Sequence, residues 1–358
     1  MKKTILLIVL MTITSALYGQ KIKKEFPKIH PDGRVEFRIM APDAKSIQIE
    51  LEGRYDMTRN EMGEWTCVTE PKMPGFHYYF VFVDGARLAD PDSESYYGFG
   101  ASASGIEVPY PAEKNHFNLN DVPHGLVHQI RYHSDIDDTD RRMFVYTPPG
   151  YDACADKEYP VLYLIHGGGE DERGWFKQGR ADILMDNLLA DKAAEEMLIV
   201  SLDGNAVSFR QELMKYSIPL VEKHFKARKG GQNRALAGLS RGGLHTLETA
   251  FAYPDLFSYI GVFSSGFITR KDTHKIGRTS PDELYAKMEK DLPHYKECLK
   301  LIYLTQGGPQ DISYNDGVEM KARLDKIRMD YEYFETPGGH SWIVWRESLN
   351  NFARLVFK

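Results

Sequence analysis

The chain has 358 residues, a net charge of −6, 42% hydrophobic residues and 27% charged residues. This ordinary globular composition excludes disordered, collagen-like and polytopic membrane chains, and the length suggests two domains with ample core. The acidic balance without a basic stripe excludes a nucleic-acid partner. Three widely spaced cysteines, Cys67, Cys154 and Cys298, exclude a zinc ribbon or a disulfide framework.

Residues 1–19 read as an export signal: Lys2 and Lys3, then an apolar run over 5–11, then a small-residue exit. The run is too short for a stable membrane span, so the mature protein is expected in the periplasm or outside the cell, without membrane insertion. Residues 20–110 alternate and are rich in turns. Val35, Phe37 and Ile39 form one apolar face, Ile47, Ile49 and Leu51 another, and Trp65, Cys67 and Thr69 a third. The run 77–83 ends at Asp84-Gly85, a two-residue hairpin signal. Short strands at this spacing predict an all-β, immunoglobulin-like sandwich. Residues 111–124, rich in Pro and Asn, read as a linker.

From 125 to 358 the pattern changes. Continuous apolar strand cores at 161–165, 197–202, 236–237, 259–263 and 299–304 alternate with helical patterns at 181–195, 209–226, 243–252, 318–328 and 345–356. Strands apolar on both faces, alternating with helices, predict a mostly parallel sheet covered on both sides.

The chemistry is concentrated in this half. Gly238, Ser240 and Gly242 form G-x-S-x-G between an apolar strand and a helix, the setting in which a tight turn exposes a nucleophilic serine. The oxyanion donors are expected from the backbone N–H of Arg241 and of Gly168, the latter within His166-Gly167-Gly168-Gly169 after the strand at 161–165. His166 precedes that loop and reads as a buried structural histidine. His340, on the loop after a strand at 331–334, is the expected base; His245, His274 and His294 are less well placed. Asp311, after the strand ending at 304, is the expected acid that holds the His340 tautomer, with Asp316 in reserve. Rival chemistries lack support. His124 and His128 flank a Pro-Gly break and do not form a metal pair, and 135–140 (DIDDTD) reads as a solvated hairpin turn rather than a calcium loop.

Several stretches of this half, among them RRMFVYTPPGYD (141–152), YPVLYLIHGGG (159–169), NRALAGLSRGGLHTL (233–247) and GGHSWIVWRESLNNF (338–352), resemble carbohydrate esterase family 1 and the esterase-D-like α/β-hydrolases. The resemblance implies an α/β-hydrolase whose nucleophile, acid and base are Ser240, Asp311 and His340. The stretches at 33–53 and 88–98 resemble the early-set sandwich of carbohydrate-binding module family 48, in which Trp65, Tyr78, Tyr96 and Tyr97 are candidate sugar-stacking aromatics or, more ordinarily, packing residues. Candidate substrate contacts in the hydrolase half are Gly167, Trp175, Asn205 and Trp342. Two features depart from the family pattern: Arg241 stands where methionine is common, offering a cation to an acidic substrate group or to a surface carboxylate, and the segment from Asp203 to Phe209 is short.

The expected activity is that of a secreted serine esterase releasing feruloyl or acetyl groups from a plant polysaccharide such as arabinoxylan, with no metal or organic cofactor. A siderophore (enterochelin-type trilactone) esterase is the alternative within the class. A catalytically idle carbohydrate-binding protein is the alternative outside it.

Overall fold

A computed structural model describes residues 25–267 and 280–358. The expected export signal and His274 lie outside the described residues. By contact density the chain forms two compact units, one running to Met73 and including Val81–Asp92, the other comprising Pro74–Phe80 and Ser93–Lys358.

The first unit is antiparallel β structure. Lys28–Ile29, Val35–Met40, Glu64–Val68 and Thr58–Arg59 are neighbours in that order, and Ile47–Glu50 pairs with Arg54–Asp56. The alternation places Val35, Phe37, Ile47, Ile49 and Leu51 in the interior. Val83 pairs with Ala86 across Asp84-Gly85, whose φ values of 50° and 86° are those of a primed hairpin turn.

The second unit holds an eight-stranded mixed sheet. In spatial order its strands are Leu126–Ser134, Thr139–Thr147, Leu198–Leu202, Val161–Ile165, Arg234–Leu239, Tyr259–Phe263, Leu301–Gln306 and Glu332–Glu335. The first two form a hairpin whose turn is 135–138, and the second runs antiparallel to Leu198–Leu202; all later neighbours are parallel. The central strands Val161–Ile165 and Tyr259–Phe263 are buried at every position because apolar clusters lie on both faces of the sheet. The predicted helix at 209–226 is one continuous rod, α over Phe209–Glu212, π over Leu213–Ser217 and α again over Ile218–His224. Among the described residues no helix is long and apolar enough to cross a membrane.

The expected division at 110 differs from the contacts. Ala101–Val108 pairs with the first part of Gly75–Val83, and both cluster with the α/β part. One link between them is an ion pair of buried Arg346 with half-buried Glu107: Arg346 Nη1 and Nη2 donate to Glu107 Oε1 and Oε2 at 2.6 and 3.0 Å, while Nε donates to the Gln178 carbonyl at 2.8 Å. Nor is 111–124 a free linker. Phe117 is buried beside Tyr110, and Asn187 Nδ2 donates to the carbonyls of His116 and Asn118 at 2.7 and 2.9 Å. His124 Nδ1 contacts Asp186 Oδ2 at 2.8 Å, whereas His128 Nε2 contacts the Thr147 hydroxyl at 3.1 Å, so the two histidines serve different partners.

Candidate active site

Ser240 closes the strand Arg234–Leu239 and opens the helix Arg241–Ala252. Its φ of 50° and ψ of −118° lie in a region that side-chain-bearing residues rarely occupy, the strained elbow predicted from G-x-S-x-G. The flanking glycines are required by close approach: a Cβ on Gly238 would stand 2.3 Å from the Gly242 carbonyl carbon, and one on Gly242 would stand 2.4 Å from the Ile165 carbonyl oxygen. The turn is pinned by Ser240 N–H donating to the Phe263 carbonyl at 2.8 Å and by the Ser265 hydroxyl donating to the Ser240 carbonyl at 2.6 Å.

The loop carrying the expected oxyanion donor lies against this elbow. A Cβ on Gly167 would fall 3.5 Å from Ser240 Cβ, whereas one on Gly168 would meet open space. His166 is buried and structural, as its position before the loop predicts. Its Nε2 accepts from Gly204 N–H at 2.9 Å, so the proton resides on Nδ1, which donates to the Gly167 carbonyl at 2.8 Å.

Asp311 and His340, the expected acid and base, meet through two loops. Gly308 N–H donates to the Gly338 carbonyl at 2.9 Å, and Gln310 Nε2 donates to the same oxygen at 2.9 Å. This brings His340 Nδ1 to 2.8 Å from Asp311 Oδ1. Asp311 is 3% exposed and also accepts from the backbone N–H of Ser313 at 2.9 Å and of Gly307 at 3.1 Å. Burial alone would raise its carboxyl pKa; the hydrogen bonds from His340 and from backbone amides overcome that and hold it at about 2. Asp316 instead lies in the first turn of the helix Tyr314–Ile327. His245 is stacked on Phe209, and His294 faces Asp255 and Cys298.

The candidate substrate contacts divide. Gly167 sits beside the serine. Trp175 and Trp342 are 0% and 1% exposed and pack edge to face at 5.2 Å between ring centres, so both are core beneath the site rather than substrate contacts. The Trp342 ring fills the space left by Gly174 and Gly179, where a Cβ would meet it at 3.3 and 3.0 Å. Asn205 is exposed, but its amide bridges two loops: Nδ2 donates to the Glu170 carbonyl at 2.9 Å, and Oδ1 accepts from Arg241 at 3.1 Å. Arg241 Nη2 also donates to the Gly204 carbonyl at 2.7 Å. These bonds tie the start of the helix to the 203–205 loop.

Glu170, immediately after the glycines, was not anticipated. It is buried, and its Oε1 accepts from the Trp342 indole at 2.7 Å and from the Tyr78 hydroxyl at 3.0 Å. Burial pushes its carboxyl pKa up. Gln178 Nε2 in turn donates to the Tyr78 hydroxyl at 2.5 Å. The four aromatics suggested for sugar stacking are buried or half-buried, and Trp65 donates its indole N–H to the Ala41 carbonyl at 2.9 Å.

An eight-stranded mixed sheet, an elbow serine and an Asp–His pair on later strand-end loops define an α/β-hydrolase. Residues 134–355 match the family model described as "Putative esterase", and the chain belongs to that family. It is 32% identical over 361 aligned residues to an endo-1,4-beta-xylanase/feruloyl esterase of Xylanibacter ruminicola, covering 94% of this chain but 46% of that protein. The chain therefore spans less than half the length of that relative. Among solved structures it is similar to a CE1 ferulic acid esterase of Anaeromyces mucronatus, with a TM-score of 0.58 and 26% identity over 69% of this chain and 96% of the other. The enterochelin esterase of Shigella flexneri shares the fold, with a TM-score of 0.67 and 16% identity over 91% and 93%.

Proposed function

We propose that this protein is an exported serine esterase that removes feruloyl or acetyl groups from a plant cell-wall polysaccharide such as arabinoxylan. The observation that carries this reading is the 32% identity, over 94% of the chain, to the Xylanibacter xylanase/feruloyl esterase. In this reading Ser240 attacks the ester carbonyl while His340 accepts its proton through Nε2, the nitrogen not engaged by Asp311. The backbone N–H groups of Arg241 and Gly168 receive the oxyanion. His340 then protonates the leaving sugar alcohol, and a water activated by the same imidazole releases the acid from the acyl-enzyme. No metal or organic cofactor takes part. The antiparallel strands of the first unit read as an immunoglobulin-like sandwich of the carbohydrate-binding-module type.

The test is paired hydrolysis of methyl ferulate and acetylated xylan, with the Ser240→Ala protein as blank. Ferulate release above the blank supports the feruloyl assignment, and acetate release alone supports an acetylxylan esterase. Activity on neither, with cleavage of a catecholate trilactone, replaces the polysaccharide reading by the siderophore one.

A further inference from the structure

Within the second unit, Ser95–Gly98 and Ala101–Val108 form a hairpin in which Gly98 pairs with Ala101, leaving Phe99-Gly100 as a two-residue turn. Both turn residues have positive φ, 55° and 75°, as a type I′ turn demands. Glycine or asparagine suits the first of these positions. Phenylalanine there is strained, since its side chain and backbone crowd each other in the left-handed region. The strained residue is also exposed: Phe99 retains 67% of its accessible surface although it is large and apolar. Fold stability favours neither property, and a strained, exposed aromatic is a functional signal.

Its location supplies the function. Gly100 N–H donates to the Gly169 carbonyl at 2.8 Å, and a Cβ on Gly169 would stand 3.3 Å from Phe99 Cα. The turn is thus fastened to the outer end of the glycine loop whose inner end, Gly167, lies near Ser240, where an added Cβ would fall 3.5 Å from the Ser240 Cβ. Two residues of chain, roughly 7 Å, separate those ends. The ring is steadied from behind by edge-to-face contacts with Tyr78 at 5.3 Å and Phe80 at 5.8 Å. What remains is an oriented aromatic surface open to solvent, at the rim of the site rather than against the reacting carbonyl.

We propose that Phe99 is a specificity-determining platform on which a sugar ring of the alcohol portion of the ester stacks. An acyl-pocket wall is enclosed, whereas a solvent-open ring suits the C–H face of a pyranose or furanose, whose hydroxyls stay in water. The inference rests on the polysaccharide-ester reading above and assigns it a residue outside the α/β sheet and its loops.

The experiment compares kcat/KM on a feruloylated or acetylated xylo-oligosaccharide with kcat/KM on the corresponding methyl ester, for the full chain and for Phe99→Ala, Phe99→Asn and Phe99→Tyr. Losing one aromatic contact is expected to lower the ratio of sugar ester to methyl ester about tenfold in Phe99→Ala and Phe99→Asn, mainly through KM. Phe99→Tyr restores it. Because asparagine suits the left-handed position, Phe99→Asn is expected to melt at or above the wild-type temperature, which separates lost stacking from lost folding. A ratio within twofold of wild type in both variants overturns the platform while leaving the polysaccharide reading intact. Equal losses on both esters also overturn it and make the turn a support for the glycine loop. A wild-type protein that cleaves the methyl ester but no sugar ester ends both readings.

Discussion

Asp311 and His340, 29 residues apart in sequence, meet at 2.8 Å where Gly308 N–H and Gln310 Nε2 of the Asp311 loop both donate to the Gly338 carbonyl of the His340 loop. Accepting from Nδ1, the carboxylate fixes the ring's orientation and leaves Nε2 as the nitrogen free to face a substrate or nucleophile. Asp311→Asn presents a poorer partner and admits the wrong tautomer. It is expected to lower kcat on a simple activated ester about 10⁴-fold with little change in KM, as steady-state kinetics will show.

The same carboxylate makes the fold acid-sensitive. Its pKa of about 2 lies below the 3.8 of an unperturbed group, so the folded state binds a proton less readily than the unfolded chain. The resulting stability is present above about pH 4 and is lost as pH falls through about 2. Thermal melts from pH 5 to pH 2 should show wild type and Asp311→Asn converging as the pH drops. A gap that widens on acidification would contradict the assigned sign.

Glu170 has the opposite sign. Burial raises its pKa, so the stability linked to it is present below the unfolded value of 4.5 and declines as pH rises through the folded value. Glu170→Gln keeps an acceptor for Trp342 and Tyr78 and removes the ionisation. It should melt above wild type at neutral pH and lose that advantage near pH 4. Glu170→Ala leaves the Trp342 indole and the Tyr78 hydroxyl without this acceptor and is expected to cost about 1–3 kcal/mol, measured by denaturant unfolding.

Much of the site was legible because its chemistry is local. The strand Val161–Ile165 is apolar at every position since both its faces are covered, and the glycines around Ser240 announce a turn that only they can make. The meeting of His340 with Asp311 followed from their strand-end positions. Other features depended on partners far away in sequence. A tryptophan on a loop can be core or cleft, and only the packing of Trp175 on Trp342 decides between them. Glu170 resembles any surface acid until Tyr78, 92 residues earlier, comes to meet it. The helix Pro281–Lys290 was missed although Ser280-Pro281 with Glu283 forms a readable capping box. Nor could the ion pair of Glu107 with Arg346, 239 residues away, be read from the sequence.

That ion pair gives the next expectation. Arg346 is fully buried and held bidentately, so Glu107→Ala strands a cation in the interior and should destabilise by about 3–5 kcal/mol. Replacing both residues together, Glu107→Leu with Arg346→Met, should recover most of that loss. Urea unfolding of the single and double variants measures it, and a double variant as unstable as the single would show that the cost is not the stranded charge.

Ser240 is proposed above as the nucleophile of a working esterase. Intact-mass and peptide mapping after reaction with a fluorophosphonate tests it most directly. One adduct per chain, located on Ser240 and absent from Ser240→Ala together with turnover, is the predicted result. An adduct on another residue, or near-native turnover in Ser240→Ala, would contradict it.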